Sequence, residues 1–139
     1  LPKETFFAGV FISVDFESGI LKYINCGVPS LFMYAKNLHN VIDIQGKGCI
    51  LGIIPDVHSR LALQENRMRK GDILCACTSG LIDSCAPRGE RFGRNRVRHC
   101  IADRSDYSAN QIMRHVLNKL KAYVIDRPDN DLTMLVLEK

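Results

Sequence analysis

Arg69-Lys-Gly-Asp-Ile-Leu-Cys-Ala-Cys-Thr-Ser-Gly-Leu-Ile-Asp83, continued by Arg88-Gly-Glu-Arg-Phe-Gly93, is the stretch on which the fold turns. A Lys-Gly-Asp turn feeds a short apolar run, Ile73 to Cys77, and that run empties into Thr78-Ser79-Gly80. The pattern predicts a buried strand ending in a tight loop that lifts a small polar side chain to a sheet edge. Loops at strand ends commonly carry binding and catalytic groups, so this loop is the first candidate site.

Working outward, Ser59 to Met68 alternates in polarity with Leu61 and Leu63 on one face. It is expected to pair with Ile73–Cys77 through the Arg69–Asp72 turn. Thr5 to Val14 is aromatic, β-branched and nearly continuous in hydrophobicity, as expected of a strand covered on both faces. Asp15-Phe-Glu-Ser-Gly19 reads as a turn and Ile20 to Cys26 as the returning strand, an antiparallel hairpin. Leu31 to Ala35 and Val41 to Ile44 follow as strands around the turn Lys36-Asn-Leu-His-Asn40. Gln45-Gly-Lys-Gly-Cys-Ile-Leu-Gly52 has three glycines but lacks the Gly-Lys-Ser/Thr ending of a phosphate loop and opens no helix; a turn in which Leu51 plugs the core fits better. Beyond Gly93 the period changes to about 3.6. A short helix over Arg94–Ala102 presents Val97 and Ile101. Ser108 then caps a second helix with Gln111 completing a capping box, and Ile112, Val116, Leu120 and Tyr123 or Val124 form its buried stripe. Pro128 breaks that helix, and Leu132 to Leu137 closes the chain as a strand.

These motifs resemble the SpoIIE-like branch of the metal-dependent (type 2C, PPM) serine/threonine protein phosphatases. There, a Gly-Asp turn is followed by an apolar strand, Thr-Asp-Gly, an acidic residue and Gly-Glu-x-Phe-Gly. Gly71-Asp72, Thr78-Ser79-Gly80, Asp83 and Gly89-Glu90-Arg91-Phe92-Gly93 fall in that order and spacing. Asn25-Cys26-Gly27-Val28-Pro29 is similar to the family's Asn-Ala-Gly-His-Pro, Leu51-Gly52-Ile53 to its Leu-Gly-Val/Ile, and Asn130-Asp131-Leu132-Thr133 to its closing Asp-Asp-x-Thr. The resemblance runs from about Thr5 to the C-terminus. It implies an α+β fold of two stacked antiparallel β-sheets flanked by helices, incomplete at the N-terminal side, with the cleft formed by Gly27, Thr78, Ser79, Gly80, Asp83 and Asn130. An apolar face left uncovered by that missing part would favour a homodimer.

The resemblance also implies a pair of Mg²⁺ or Mn²⁺ ions held by the Asp of Thr-Asp-Gly and the first Asp of Asp-Asp-x-Thr. Here Ser79 and Asn130 occupy those places, and Val28 replaces the family's His. A hydroxyl or an amide carbonyl completes a coordination shell but supplies no negative charge, and paired dications need several. A dismantled metal site is therefore expected, unless Asp129 or Asp131 slips into the ligand place.

Composition sets the remaining bounds. At 139 residues the chain is expected to form one domain, with 46% hydrophobic and 24% charged residues as in ordinary globular proteins. No run approaches a membrane span and no targeting segment opens the chain, so a cytoplasmic protein is expected. The six cysteines (Cys26, Cys49, Cys75, Cys77, Cys85, Cys100) lack Cys-x-x-Cys spacing and read as reduced, mostly buried thiols, Cys75 and Cys77 sharing one strand face. A net charge of +4 is modest and does not by itself argue for nucleic acid, and with no nucleic-acid motif present none is expected as a partner. Arg88, Arg91, Arg94, Arg96, Arg98 and His99 form the densest basic cluster. Arg88, Arg91 and Arg94 are candidates to contact a phosphate or a partner, against the plainer reading of a solvated helix face. No histidine has a ligand-spaced partner, and Ser79 lacks the flanks of a nucleophile elbow. The expected function is a pseudophosphatase-like regulatory domain of bacterial signalling that engages a phosphorylated or regulatory signalling protein. The competing expectation is an active Mg²⁺/Mn²⁺-dependent phosphatase.

Overall fold

The computed structural model describes residues 3–124 and 131–139. Among them the elements run β1 (Gly9–Val14), β2 (Ile20–Cys26), β3 (Ser30–Ala35), β4 (Asn40–Asp43), β5 (Gln64–Arg67), β6 (Ile73–Cys77), α1 (Ser79–Ile82), α2 (Gly93–Asp103), α3 (Ala109–Tyr123) and β7 (Met134–Glu138). They divide into two compact units, Leu1–Val28 with Gln45–Met68, and Pro29–Ile44 with Arg69–Lys139. The class is α+β, each unit built on one antiparallel sheet. No helix among the described residues is long and apolar enough to cross a membrane.

The first unit holds a three-stranded sheet in the order β1-β2-β5. The expected hairpin is present, with β1 and β2 registered from Gly9 opposite Cys26 to Val14 opposite Leu21. Its turn forms because the Asp15 carboxylate accepts from the Glu17 and Ser18 N–H groups, while Gly19 takes the positive φ that closes the loop. Covering on both faces is not observed for β1: Val10, Ile12 and Val14 are half-buried, whereas Phe11 on the opposite face is 56% exposed. Alternation in a pleated strand separates the two sets of side chains despite their shared hydrophobicity. Leu51 does not plug a core either. It is half-buried and exchanges backbone hydrogen bonds with Phe7 in an isolated bridge, so that loop is held by main-chain pairing.

The pairing expected for Ser59–Met68 is corrected by the structure. Only Gln64–Arg67 is strand, and it pairs with β2, from Tyr23 opposite Gln64 to Ile20 opposite Arg67, instead of with β6. The reason lies at Asp72. Its buried carboxylate accepts from the Arg69 N–H at 2.8 Å and the Lys36 N–H at 2.9 Å, so residues 69–72 fold around a side chain. The polar β5 suits a sheet edge. All five residues of β6 are buried, which demands apolar strands on both sides.

Those strands are β3 and β7, giving the second unit a four-stranded sheet in the order β4-β3-β6-β7. Phe32, Tyr34, Cys75, Cys77 and Val136 from this sheet share a core with Val97 and Ile101 of α2 and Ile112, Val116 and Leu120 of α3. The helical stripe and the Ser108–Gln111 capping box stand where the sequence places them. Each fully buried aliphatic side chain stabilises the unit by about 1.5–3 kcal/mol, so α2 and α3 are held chiefly by this face.

Candidate functional site

The site grows from the end of β6. Thr78 leaves the strand extended, its N–H donating to the Thr133 carbonyl at 3.0 Å, and its hydroxyl oxygen accepts from the Thr133 N–H at 2.9 Å. The same hydroxyl lies 3.4 Å from the Asp131 carbonyl oxygen. Thr78 thus ties the end of β6 to the entry of β7, bringing together two motifs that lie more than fifty positions apart. The tight loop expected after the strand is, over residues 79–82, a single helical turn, α1, closed by the Asp83 N–H on the Ser79 carbonyl at 2.8 Å and by the Ser84 hydroxyl on the Gly80 carbonyl at 2.6 Å. Gly80 is buried under this turn, while Ser79 stays exposed at its start.

Asp83 emerges from α1 half-exposed and forms an ion pair with Arg91 at 3.1 Å. The Gly89–Gly93 stretch that carries Arg91 is pinned from three sides. The Phe92 N–H donates to Ser84, and the Phe92 ring meets Tyr123 edge-on at 5.5 Å. The Tyr123 hydroxyl lies 3.1 and 3.3 Å from the carbonyl oxygens of Glu90 and Arg91. Arg96 pairs with Glu90 at 2.8 Å and stacks over Tyr123, holding the Glu90 carboxyl below its ordinary range. Arg94 pairs with Asp43 and lies over the Phe32 ring, and Arg98 donates to the Val41 carbonyl. Arg91, Arg94, Arg96 and Arg98 are therefore engaged in contacts within the chain, and Arg88 is exposed in its turn.

Gly27 belongs to the first unit, Thr78, Ser79, Gly80 and Asp83 to the second. Asp129 and Asn130 lie outside the described residues. Asp131 is described, and exposed. Among the described residues no group of three or more His, Cys, Asp and Glu side chains could hold a metal ion. Under the site, Cys75 and Cys77 point into the core together, as alternation requires. Cys75 is pushed well above the ordinary thiol range, first by its hydrogen bond to Cys77 and then by burial. Cys77 is held lower by that same bond, against burial, with Ser30 and Arg94 assisting. Asp43 carried no local signal as a partner and meets Arg94 only where β4 packs beside α2, and Tyr123 meets Arg96 only where α3 packs beside α2; Glu90 lies six positions before Arg96, inside a motif the sequence already marks.

Comparison with known proteins places this geometry in a family. The curated "Protein IcfG" of Synechocystis is 27% identical over 138 residues, a match covering 94% of this chain and 20% of that protein. The phosphatase domain of the cell-fate determinant SpoIIE from Bacillus subtilis has the same fold at 12% identity, with a TM-score of 0.71 over 94% of this chain and 57% of its own, and has also been solved after presoaking with manganese. The SiaA-PP2C domain of Pseudomonas aeruginosa matches with a TM-score of 0.73 at 18% identity, over 94% of this chain and 50% of its own. The chain thus spans about half the length of these solved domains and a fifth of the curated relative. The family model for Stage II sporulation protein E matches residues 1–139 from end to end, and the chain belongs to the SpoIIE family.

Proposed function

We propose that this phosphatase-family chain acts in signalling as a regulatory, protein-binding module whose metal site is degraded. The observation that carries the reading is the Asp83–Arg91 ion pair. A guanidinium beside the carboxylate at the strand-end turn supplies the positive charge that a dication would otherwise bring, and it opposes the approach of one. Ser79 at the start of α1 offers only a neutral oxygen. The framework motifs of each unit are intact by contrast. Asn25 closes its loop with three hydrogen bonds, to Val28 twice and to Gln45, and Asp72 braces the turn before β6. A framework kept while anionic ligands are replaced is the mark of a fold used for recognition. The partner class is a phosphorylated or regulatory signalling protein.

The second reading is an active Mg²⁺- or Mn²⁺-dependent phosphatase. The backbone of Asp131 beside Thr78 favours it, because a carboxylate at that position is close enough in sequence and space to serve as a replacement ligand, together with Asp129 and carboxylates from elsewhere in the polypeptide. Calorimetric titration of Mn²⁺ and Mg²⁺ into the purified protein, with p-nitrophenyl phosphate turnover followed in the same samples, separates the two. The degraded-site reading expects neither saturable binding up to millimolar metal nor metal-dependent turnover. Turnover that requires metal and disappears in Asp131→Asn overturns it.

A further inference from the structure

Two thiols of the first unit lie side by side where β2 ends. Cys26 is the last residue of β2 and is fully buried, while Cys49, in the glycine-rich segment that follows Gln45, is half-buried. Their neighbours bracket them. A Cβ on Gly48 would come within 3.6 Å of the Asn25 Cα, and a Cβ on Gly27 within 3.5 Å of the Ile50 Cα. Residue 48 therefore packs against residue 25 and residue 50 against residue 27, which sets Cys49 alongside Cys26. Asn25 locks this alignment, its side-chain amide donating to the Gln45 carbonyl at 3.1 Å and the Val28 carbonyl at 3.0 Å. Burial pushes the Cys26 thiol up, and the Cys49 thiol nearby pushes it further. A disulfide bridges Cα atoms roughly 4.4–6.8 Å apart, a reach that suits two cysteines on adjacent, contacting backbone segments.

We propose that Cys26 and Cys49 form an oxidative modification site that closes to an intramolecular disulfide when the protein meets a peroxide. The more accessible Cys49 reacts first. Its thiolate attacks one oxygen of hydrogen peroxide, an S–O bond forms as the O–O bond breaks, and the hydroxide released takes up the thiol proton as water, leaving a sulfenic acid. Cys26 then attacks the Cys49 sulfur, the S–S bond forms as the S–O bond breaks, and a second water leaves with the Cys26 proton. Two thiols are oxidised and one peroxide is reduced to two waters. The bond staples the Asn25–Pro29 loop to the segment after Gln45, fixing a junction that Asn25 otherwise holds with hydrogen bonds.

Peptide mapping tests the site. The protein carrying Cys85→Ser, which removes the exposed thiol, is treated with hydrogen peroxide while folded, alkylated, digested with trypsin and mapped without reduction. The expected result is loss of two of the five remaining thiols and a linked pair of peptides, residues 23–36 with residues 48–60, that dithiothreitol separates. The link must vanish in Cys49→Ser and in Cys26→Ser. Recovery of Cys49 as sulfinic or sulfonic acid with Cys26 still alkylatable overturns the proposal, as does Cys49 joined to any other cysteine or no thiol lost at all.

Discussion

Replacing Asp72 by Ala tests the account of how the chain leaves the first sheet and enters the second. The side chain is 2% exposed, and its two oxygens accept separate backbone N–H groups, from Arg69 at 2.8 Å and Lys36 at 2.9 Å. The Asp72 backbone is engaged too, its carbonyl accepting from the Lys139 N–H at 3.1 Å and so holding the end of β7. Hydrogen bonds to a charged acceptor contribute about 1.5–3 kcal/mol each. Because residues 36 and 69 are themselves exposed, water takes over part of the freed N–H groups, and the summed loss falls at about 2–4 kcal/mol. At roughly 3–4 °C per kcal/mol for a chain of this size, the melting midpoint should drop by about 6–16 °C. Circular dichroism melts, with urea unfolding to check that the m-value is unchanged, measure it. Asp56→Ala is the control, since Asp56 makes one such bond, to the His58 N–H, on an exposed loop and should shift the midpoint by less than about 2 °C. Equal small shifts in both variants would refute the idea that the carboxylate organises the turn.

Ser108→Ala removes one half of the capping box at the start of α3 and should cost about 1 kcal/mol by urea unfolding, while Ser108→Asp keeps most of it. Ile112→Ala opens a cavity where α3 meets the sheet and should cost about 2–5 kcal/mol, whereas Leu135→Ala, at a site 45% exposed, should stay within about 1 kcal/mol. The His115 imidazole carries a buried Nε2 without a partner among the described residues, and burial, then Arg104 and Lys119, push its pKa down while Asp103 partly opposes them. A depressed folded-state pKa means the neutral ring is the stabilising form. Its contribution is complete above about pH 6.5 and is lost as the pH falls through the lower folded value, so His115→Gln should flatten stability against pH in that acid window.

Local chemistry made much of the fold legible in the sequence. The β1–β2 hairpin follows from Asp15 and Gly19 between two apolar runs, and α3 from a cap at Ser108 and a stripe repeating every three to four residues. Both rest on interactions that span only a few positions. The order of Gly-Asp, Thr-Ser-Gly and Gly-Glu-Arg-Phe-Gly likewise pointed to the family that the comparisons establish. In the candidate site, the residue types at 78–83 were readable, but not their conformation. Thr78-Ser79-Gly80 looks like a loop by composition; the Ser84 hydroxyl and the burial of Leu81 and Ile82 wind it into a helical turn.

Strand partnership was decided elsewhere. Ser59–Met68 and Ile73–Cys77 are neighbours in the chain, and adjacency favours a hairpin, yet β5 joins β2 and β6 lies between β3 and β7. A fully apolar strand must be paired on both edges and covered on both faces, while a polar one is tolerated at an edge. That competition is settled only when all strands are present together. The same holds for the arginines. Spacing alone leaves Arg91 and Arg94 free to meet a phosphate, and only the packed chain brings Asp83 and Asp43 within reach of them. Sequence by itself determined the β1–β2 hairpin, the capped helix α3 and the family framework they follow, because those signals are short-ranged. Tertiary structure decided which strands meet and which charges are already matched, because both depend on groups far apart in the chain that share no local pattern.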